Sequence, residues 1–166
     1  VYEVMSFFGN QVINFDKHLK RLTQSLDGLR IQKPLTNYKS LELILKKLIK
    51  LNKLDKGFVY LQITRGSSSR NHIFPKLSKP NVVIFTFTSK LDENLILEGV
   101  KVRLTEDLRW KRCDIKSISL LPNVLEKQNA FEEGMYDSWQ KRKNLITEGS
   151  TSNAFIVNRN GFIQTH

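Results

Sequence analysis

The sequence predicts an α+β fold with two lobes, and three patterns lead to this expectation. Runs of β-branched, aromatic or alternating apolar residues occur near both ends of the chain, as is typical of strands. Other segments place leucine and isoleucine at helical spacing. A polar stretch at residues 89–94 separates the two sets of elements, which predicts a small N-terminal α/β lobe over residues 1–90 and the first part of a larger α/β lobe over residues 91–166.

The small lobe is predicted to open with a hairpin. Residues 1–8 form its first strand, Gly9-Asn10 its turn and residues 11–15 its partner strand. Asp16 is the predicted N-cap of the helix that follows. That helix carries leucines at helical spacing, at Leu19, Leu22, Leu26 and Leu29.

A second helix is predicted after Pro34, followed by two strands. The apolar face of this helix consists of Leu41, Ile44, Leu45, Leu48 and Ile49. The strands occupy residues 58–65 and 82–88, where β-branched and aromatic residues predominate. A serine-rich loop at residues 66–71 lies between them.

The predicted second lobe begins with a strand at residues 100–104. A helix at residues 120–134 follows, and its apolar residues are Leu121, Val124, Leu125 and Phe131. Residues 153–157 and 162–165 then form a hairpin across the turn Asn160-Gly161.

The charge balance favours a solvated basic surface over a nucleic-acid footprint. Lys and Arg number 27 against 16 Asp and Glu, a net charge of +11. The lysines are scattered, mostly along the polar side of the second predicted helix, and no basic run is interleaved with aromatic residues. No apolar run approaches the roughly 20 residues of a membrane span, and no leader opens the chain. We therefore expect a cytoplasmic protein with neither nucleic-acid nor membrane partners.

No metal site is predicted. The histidines His18, His72 and His166 are far apart in sequence, and the single cysteine, Cys113, cannot build a zinc site alone.

A cationic segment from Arg109 to Ser117 contains a candidate nucleophile. Lys116 follows Arg109, Lys111 and Arg112 and precedes an apolar helix. Neighbouring positive charge or partial desolvation lowers the pKa of a lysine, which makes its amine a better nucleophile toward an aldehyde. The alternative is a surface lysine at the entry of a helix.

The segment Thr147-Glu148-Gly149-Ser150-Thr151-Ser152-Asn153 is a candidate anion site. It offers one carboxylate, several small hydroxyl groups, and a glycine that permits close backbone approach. Such a turn can present N–H and hydroxyl donors to a phosphate. The alternative is a plain polar turn before a strand.

A third segment, from Thr64 to His72, is a candidate carboxylate clamp. Arg70 and His72 alternate along the loop, so their side chains could point the same way. Arginine can hold a carboxylate with two parallel hydrogen bonds, and histidine can add a donor. The alternative is a solvated basic loop.

Taken in order, these segments resemble the fold-type IV enzymes that depend on pyridoxal 5'-phosphate (PLP). Tyr2-Glu3-Val4 and His18-Leu19-Lys20-Arg21-Leu22 resemble the opening of that family, residues 109–121 its lysine segment, and residues 148–153 its cofactor segment. The family includes D-amino-acid transaminases, branched-chain aminotransferases and aminodeoxychorismate lyases. The resemblance extends through nearly all of the chain.

The resemblance implies a role for each matching residue. Lys116 would form the Schiff base with PLP and move the proton during catalysis. Glu148 would keep the pyridine nitrogen protonated, Arg21 would reach the cofactor phosphate, and Tyr2 would face the substrate. The remaining residues that would surround the cofactor are Ser150, Thr151, Ser152 and Asn153.

Within the family, the Arg70 and His72 pair is similar to the carboxylate clamp of D-amino-acid transaminases. This implies ping-pong transamination between a D-amino acid and a 2-oxo acid such as 2-oxoglutarate, in a homodimer. Two positions depart from the family pattern. Pro122 stands where glycine is usual, and Ser69 replaces a usual proline.

Three alternatives remain open at this point. The chain could be a branched-chain aminotransferase or aminodeoxychorismate lyase of the same fold, a basic nucleic-acid-binding module, or an inactive fragment. The last arises because the resemblance ends before the family's later phosphate-binding turns. Since the chain also opens at Val1 inside a predicted strand, we expect a chain that is truncated at both ends.

Overall fold

The computed structural model describes residues 1–35, 37–88 and 93–165. The predicted linker at residues 89–94 lies outside this part of the chain except for its last two residues, which begin a helix. The last residue, His166, also lies outside it.

The chain divides into two compact units. The first takes the described residues of 1–90 together with residues 112–118, and the second takes those of 91–111 and 119–166. Lys116 therefore belongs to the N-terminal unit, although in sequence it follows the predicted lobe boundary at residue 90. The lobe boundary itself stays a prediction.

The first unit is a four-stranded antiparallel sheet with two helices. Its elements are β1 (Tyr2–Phe8), β2 (Gln11–Val12), α1 (Phe15–Gly28), α2 (Tyr38–Leu51), β3 (Lys56–Thr64) and β4 (Asn81–Phe87). The strand order is β2-β1-β3-β4, with Val4 opposite Tyr60 and Tyr60 opposite Phe85. Successive side chains of a strand point to opposite faces, so alternate residues of β1 and β3 reach the core.

The core of this unit is formed by the apolar sides of α1 and α2 and by one face of the sheet. Its members include Met5, Phe7, Leu19, Leu22, Leu26, Leu41, Leu45, Ile49, Val59, Leu61 and Ile63. Three of the four predicted leucines of α1 and three of the five predicted apolar residues of α2 are among them, and the fourth leucine, Leu29, is partly buried against the core. Ile44 is not, because it is 47% exposed on the other side of α2.

The start of α1 differs from the prediction. The helix begins at Phe15, so the predicted strand at residues 11–15 is reduced to Gln11–Val12. Its N-cap is Asn14 in the left-handed conformation (φ 54°), a region that asparagine tolerates better than most residues. The predicted N-cap, Asp16, is wrong: it lies in the first turn, where a negative charge interacts favourably with the helix dipole.

The second unit contains a three-stranded mixed sheet and a separate hairpin. Its elements are α3 (Glu93–Glu98), β5 (Val102–Glu106), α4 (Leu121–Glu132), β6 (Asp137–Arg142), β7 (Leu145–Gly149), β8 (Phe155–Val157) and β9 (Ile163–Thr165). β5 pairs parallel with β6, β6 antiparallel with β7, and β8 antiparallel with β9. The β8–β9 hairpin and α4 confirm two predictions, whereas β6 and β7 were missed because their sequences are rich in polar and charged residues.

Helix α4 buries less apolar surface than predicted. Its predicted apolar residues, Leu121, Val124, Leu125 and Phe131, are all exposed, and Ala130 is the helical residue that is buried. Pro122 lies in the first turn, where a missing N–H donor costs no helical hydrogen bond. In the described part of the chain, no helix combines the length and apolar character needed to cross a membrane.

A buried ion pair joins the end of β5 to β7. The Asp107 carboxylate has no exposed surface and accepts hydrogen bonds from Arg109 Nε and Nη2, both at 2.9 Å, and from Thr147 Oγ1 at 2.8 Å. Arg142 Nε lies 3.0 Å away. Burial acts to raise the pKa of Asp107, but the hydrogen bonds from Arg109 and Thr147 outweigh it and hold the pKa well below its usual range.

Truncating a core leucine of α2 tests the packing of the first unit. Leu45→Ala should lower the free energy of unfolding by roughly 2–5 kcal/mol, because Leu45 is fully buried and the substitution leaves a cavity. Leu43→Ala is the matched control, since Leu43 lies on the same helix and is 68% exposed. Urea unfolding measures both, and equal losses for the two variants would contradict the packing described.

Asp107→Asn tests the buried ion pair of the second unit. The variant should lose roughly 1–3 kcal/mol at neutral pH, because the partly buried Arg109 exchanges an ionised acceptor for a neutral amide. A lowered pKa gives stability that is present above the unfolded-state value of 3.8 and is lost as the pH falls below it. The difference between wild type and variant should therefore shrink as the pH falls through 3.8.

The control for this experiment is Asp114→Asn. Asp114 pairs with Arg112 at the surface, where both side chains are exposed, so its replacement should change stability little. Urea unfolding at neutral and acidic pH measures both variants. A pH-independent loss in Asp107→Asn would show that the ionised carboxylate is not the stabilising form.

Candidate active site

The backbone of Lys116 is fixed on both sides within the first unit. Its N–H donates to Ser25 Oγ at 3.0 Å, and its carbonyl accepts from the Tyr2 N–H at 3.1 Å. Ser25 is a buried residue of α1, and Tyr2 is the first residue of β1. The lysine segment is therefore attached to a helix and a strand that lie far from it in sequence.

Ile115 inserts into the core of the first unit next to Lys116. It is buried and packs against Gly28 at the end of α1. A Cβ at position 28 would come within 2.9 Å of Ile115 Cδ1, so glycine permits this close approach. The neighbouring Arg112 forms two hydrogen bonds of 2.9 Å to Asp114, and its charge is therefore paired.

The side chain of Lys116 lies beside Tyr2. Lys116 Nζ is 3.5 Å from Tyr2 Oη and 4.5 Å from the centre of the tyrosine ring. The ring stacks on Tyr60 at a centroid distance of 5.7 Å, and Tyr60 stacks on Phe85 at 4.8 Å. Burial and the nearby Glu3 charge raise the pKa of Tyr2, so its hydroxyl is protonated at neutral pH.

A buried carboxylate, Glu3, holds Arg21 and His18 of α1. It is 1% exposed and accepts from Arg21 Nε at 2.8 Å, Arg21 Nη2 at 2.5 Å and His18 Nδ1 at 2.8 Å. The hydrogen bond to Glu3 raises the pKa of Arg21. Among the described residues Arg21 Nη1 has no hydrogen-bond partner, so this edge of the guanidinium faces away from Glu3.

Glu3 was not identified from the sequence, although a signal for it exists. In β1 the buried positions alternate through Glu3, Met5 and Phe7. A carboxylate at the register of a buried apolar row must have a partner, because an isolated charge in the core is costly.

Arg70 and His72 come together in the exposed loop between β3 and β4. Arg70 Nη1 lies 3.2 Å from His72 Nε2. Within the described residues each has only the other as a side-chain hydrogen-bond partner, and both are exposed. Arginine only donates, so His72 Nε2 accepts this hydrogen bond, and the other N–H groups of Arg70 remain available to the two oxygens of a carboxylate.

Glu148 lies near the end of β7 in the second unit. Its Oε1 accepts from the Ala154 N–H at 3.1 Å, and its other oxygen has no hydrogen-bond partner among the described residues. The register of β6 and β7 shifts between Gln140 and Lys141, which leaves Thr147 as the extra residue of a β-bulge. The bulge directs the Thr147 hydroxyl toward Asp107 and sets the direction of Glu148.

The turn after Glu148 is tightly closed. Gly149 N–H donates to Ser152 O at 2.8 Å, and Ser150 N–H donates to Ser138 O at 2.8 Å. A Cβ on Gly149 would lie 2.2 Å from Ser152 Oγ and 2.6 Å from Ser152 O. Glycine is therefore required at this position because Ser152 of the same turn packs directly against it.

Asp137, at the start of β6, lies under this turn and was missed by the sequence analysis. It accepts from the Ser150 hydroxyl, from Ser152 Oγ at 2.6 Å and from its neighbour Ser138 N at 2.9 Å. Burial acts to raise the pKa of Asp137, but the hydroxyl groups of Ser150 and Ser152 lower it overall. The sequence signal is weak, because polar residues around Asp137 hide the strand.

The predicted site residues divide between the two units. Lys116, Tyr2, Arg21, Arg70 and His72 belong to the first, whereas Glu148 and residues 150–153 belong to the second. Thr151 makes only long contacts to Asp137, at 3.4 Å, and Asn153 is exposed.

These side chains suit PLP chemically. Lys116 supplies a primary amine on a fixed backbone, and Glu148 supplies a carboxylate with one oxygen still open. Arg21 offers a guanidinium edge. No group of three or more His, Cys, Asp or Glu that could hold a metal ion occurs among the described residues.

Similar proteins were found both by sequence and by structure. D-alanine aminotransferase from Staphylococcus aureus (strain MSSA476) is 35% identical over 169 aligned residues, which cover 100% of this chain and 58% of that protein. D-alanine aminotransferase from Bacillus licheniformis is 36% identical over 166 residues, with the same coverage. The chain thus spans 58% of the length of these relatives.

The structural neighbours share the fold at lower sequence identity. The branched-chain amino acid aminotransferase of Escherichia coli gives a TM-score of 0.81 at 19% identity, covering 99% of this chain and 58% of that chain. The PLP-bound form of a hypothetical aminotransferase from Mycobacterium tuberculosis gives 0.79 at 18% identity, covering 99% and 60%. Residues 1–164 match the family described as Amino-transferase class IV. The chain therefore belongs to the class IV aminotransferases, which are PLP-dependent proteins of fold type IV.

Proposed function

We propose that this chain forms part of a PLP-dependent transaminase that moves the amino group of a D-amino acid to a 2-oxo acid. The observation that carries the proposal is the placement of Lys116 Nζ at 3.5 Å from Tyr2 Oη, inside a chain of the class IV family. These two residues are 114 positions apart in sequence and were both assigned to the reaction by their motifs. The similarity to D-alanine aminotransferases supports the choice of substrate.

Lys116 is proposed as the covalent attachment point and as the group that moves the proton. When bound, PLP supplies an electron sink that stabilises negative charge at the substrate α-carbon. The Lys116 amine takes the proton from that carbon and later returns it. The Tyr2 hydroxyl is protonated at neutral pH and close enough to donate to the uncharged amine, which would orient it.

Glu148 and Arg21 are proposed as two further cofactor-binding residues. Glu148 would keep the pyridine nitrogen protonated. It would use the carboxylate oxygen that does not accept from the Ala154 N–H. Arg21 would bind the phosphate with the edge that Glu3 does not occupy, and Glu3 and His18 would fix its orientation. The turn of residues 150–153 would also lie near the phosphate.

Arg70 and His72 are proposed to bind the substrate carboxylate. Their separation of 3.2 Å and their exposure support this role. The fold likeness to the branched-chain enzyme does not decide between substrates, because the identity is only 19%. The whole protein is proposed to act as a homodimer, which light scattering of the full-length protein can test.

Replacing Lys116 tests the attachment point. In the full-length wild type, borohydride reduction with PLP followed by peptide mapping should place the adduct on Lys116. Lys116→Ala should give no adduct and should lower the transamination rate roughly 10²–10⁴-fold, because the proton-transfer group is gone.

The matched control is Lys111→Ala, an exposed lysine five residues earlier in the chain. It should keep both the adduct and the rate. Transamination that survives in Lys116→Ala would remove the proposal, as would an adduct on another lysine.

Replacing Arg70 tests the substrate. Arg70→Lys should raise KM for D-alanine roughly tenfold or more with 2-oxoglutarate as acceptor, because lysine cannot make two parallel hydrogen bonds to a carboxylate. Lys76→Ala is the control, since Lys76 is an exposed cation of the same loop. Wild-type activity on L-leucine without activity on D-alanine would instead assign the chain to the branched-chain enzymes.

A further inference from the structure

We propose that Gln140 is a positioning residue for Glu148, and that its buried side-chain N–H donates to the Glu148 carboxylate when this carboxylate holds the pyridine nitrogen of PLP. The inference rests on the proposed function, since it concerns the residue that would bind the ring nitrogen. It assigns a role to a strand residue that the motifs did not include.

The side chain of Gln140 is buried without a hydrogen-bond partner. It lies in β6, the central strand of the three-stranded sheet, and has no exposed surface. Within the described part of the chain, neither Nε2 nor Oε1 of its amide forms a hydrogen bond. Burying an unpaired amide costs free energy, and most buried polar groups in folded proteins are paired. The Gln140 amide is therefore a candidate for a role in a binding site.

Glu148 is the residue directly opposite Gln140. The two residues are paired in the antiparallel ladder of β6 and β7, so their side chains leave the same face of the sheet. The Cβ atoms of residues paired in this way lie about 4.5–5.5 Å apart. The Gln140 amide can therefore reach the Glu148 carboxylate by rotation about side-chain bonds, without movement of either strand.

The Glu148 carboxylate has room for this donor. Its Oε1 accepts from the Ala154 N–H at 3.1 Å, and its Oε2 has no hydrogen-bond partner among the described residues. An ionised carboxylate offers about four acceptor positions, so a bond from Gln140 leaves space for the pyridine N–H as well. Donors on Ala154 and Gln140 would hold the carboxylate from two directions and thereby fix its orientation.

The backbone around this pair is fixed. Thr147 Oγ1, in the bulge next to Glu148, lies 3.1 Å from Gln140 O and 2.8 Å from Asp107 Oδ2. On the other side of Gln140, its register partner in β5 is Thr105, and a threonine hydroxyl can donate to the amide oxygen. Both polar atoms of the amide thus have a possible partner on a neighbouring strand.

Another buried acceptor competes for the Gln140 amide. Glu126 Oε2 of α4 is also buried without a hydrogen-bond partner among the described residues. Arg103 Nη1 lies 3.6 Å from it, however, so the charge of Glu126 is already partly balanced. Glu148 forms no salt bridge within the described residues, and it therefore gains more from an N–H donor.

A comparison of PLP with its 1-deaza analogue, in which a C–H group replaces the ring nitrogen, tests the role of Gln140. In the full-length protein, Gln140→Met should raise the Kd for PLP roughly fivefold to tenfold, because Glu148 loses a donor that orients it. The Kd for the analogue should change less than about twofold on the same scale. Absorbance titration of the apoprotein measures both, and Gln128→Met, which replaces an exposed amide of α4, is the control.

Unfolding of the apoprotein separates positioning from packing. Gln140→Met removes two unpaired buried polar atoms at similar side-chain length, so the free energy of unfolding should stay the same or rise. A loss of stability together with equal losses of affinity for PLP and the analogue would show a purely structural role. That result overturns the inference, as does an unchanged Kd for PLP.

A double-mutant cycle identifies the acceptor. If Gln140 acts through Glu148, Gln140→Met should weaken PLP binding in the wild type and add almost nothing in Glu148→Gln. Equal effects of Gln140→Met in both backgrounds would show that Glu148 is not its partner. An effect that disappears in Glu126→Gln instead would assign the amide to α4, and either result contradicts the inference.

A measurement on the wild type does not depend on the folding of any variant. With ¹⁵N-labelled glutamine, PLP binding should shift the side-chain amide resonance of Gln140, and the 1-deaza analogue should shift it less. An unchanged Gln140 resonance, or equal shifts with both ligands, would overturn the inference. If the wild type forms no adduct on Lys116, the proposed function fails, whereas an adduct with an unchanged Gln140 resonance sinks only the role of Gln140.

Discussion

The pairing of a buried carboxylate fixes the arrangement of the first unit around Lys116. Glu3 occupies a core position of β1, and a charge there is tolerated only with close, hydrogen-bonded partners. Arg21 and His18, one helical turn apart on α1, supply them, so the side of α1 that meets β1 is determined by charge as well as by leucine packing. Loss of one partner would leave the buried Glu3 carboxylate with fewer hydrogen bonds, at a cost of roughly 1–3 kcal/mol. The same contacts orient the guanidinium that we propose for the phosphate.

The segment around Lys116 is attached to the same helix and strand, α1 and β1. Ile115 is buried against Gly28, and the two backbone groups of Lys116 bind Ser25 and Tyr2. A fixed backbone reduces the conformational freedom that this residue would lose on reacting, which suits the catalytic role that we propose for Lys116. The Tyr2 ring, stacked on Tyr60, provides a rigid surface beside the amine. The packing of Ile115 therefore helps to position the neighbouring Lys116.

The second unit also contains buried carboxylates that are paired with hydrogen-bond donors. Asp107 and Asp137 are buried acids, and each is satisfied by donors from more than one part of the chain. Asp107 binds Thr147, the bulged residue directly before Glu148, and Asp137 binds the hydroxyl groups directly after Gly149. The segment of residues 147–152 is thus held from both ends by carboxylates that its own motif does not contain. Buried hydrogen bonds to ionised acceptors are strong enough to fix such a turn, because the low local dielectric strengthens them.

The sequence by itself determined the α+β class, most of the strands and helices, and the family. Apolar periodicity is a local property, and the motifs around Lys116 and Glu148 are short and continuous, so both could be identified without knowledge of the tertiary structure. Only the tertiary structure decided that Asn14 and not Asp16 caps α1, that β6 and β7 are strands, and that Ile115 and Lys116 join the N-terminal unit. It also revealed Glu3, Asp107 and Asp137, because a buried acid is recognised by its partners, and these partners lie far away in sequence or at positions that the local pattern does not mark. Hydrogen bonding across elements, unlike periodicity, depends on three-dimensional proximity, which the order of residues does not contain.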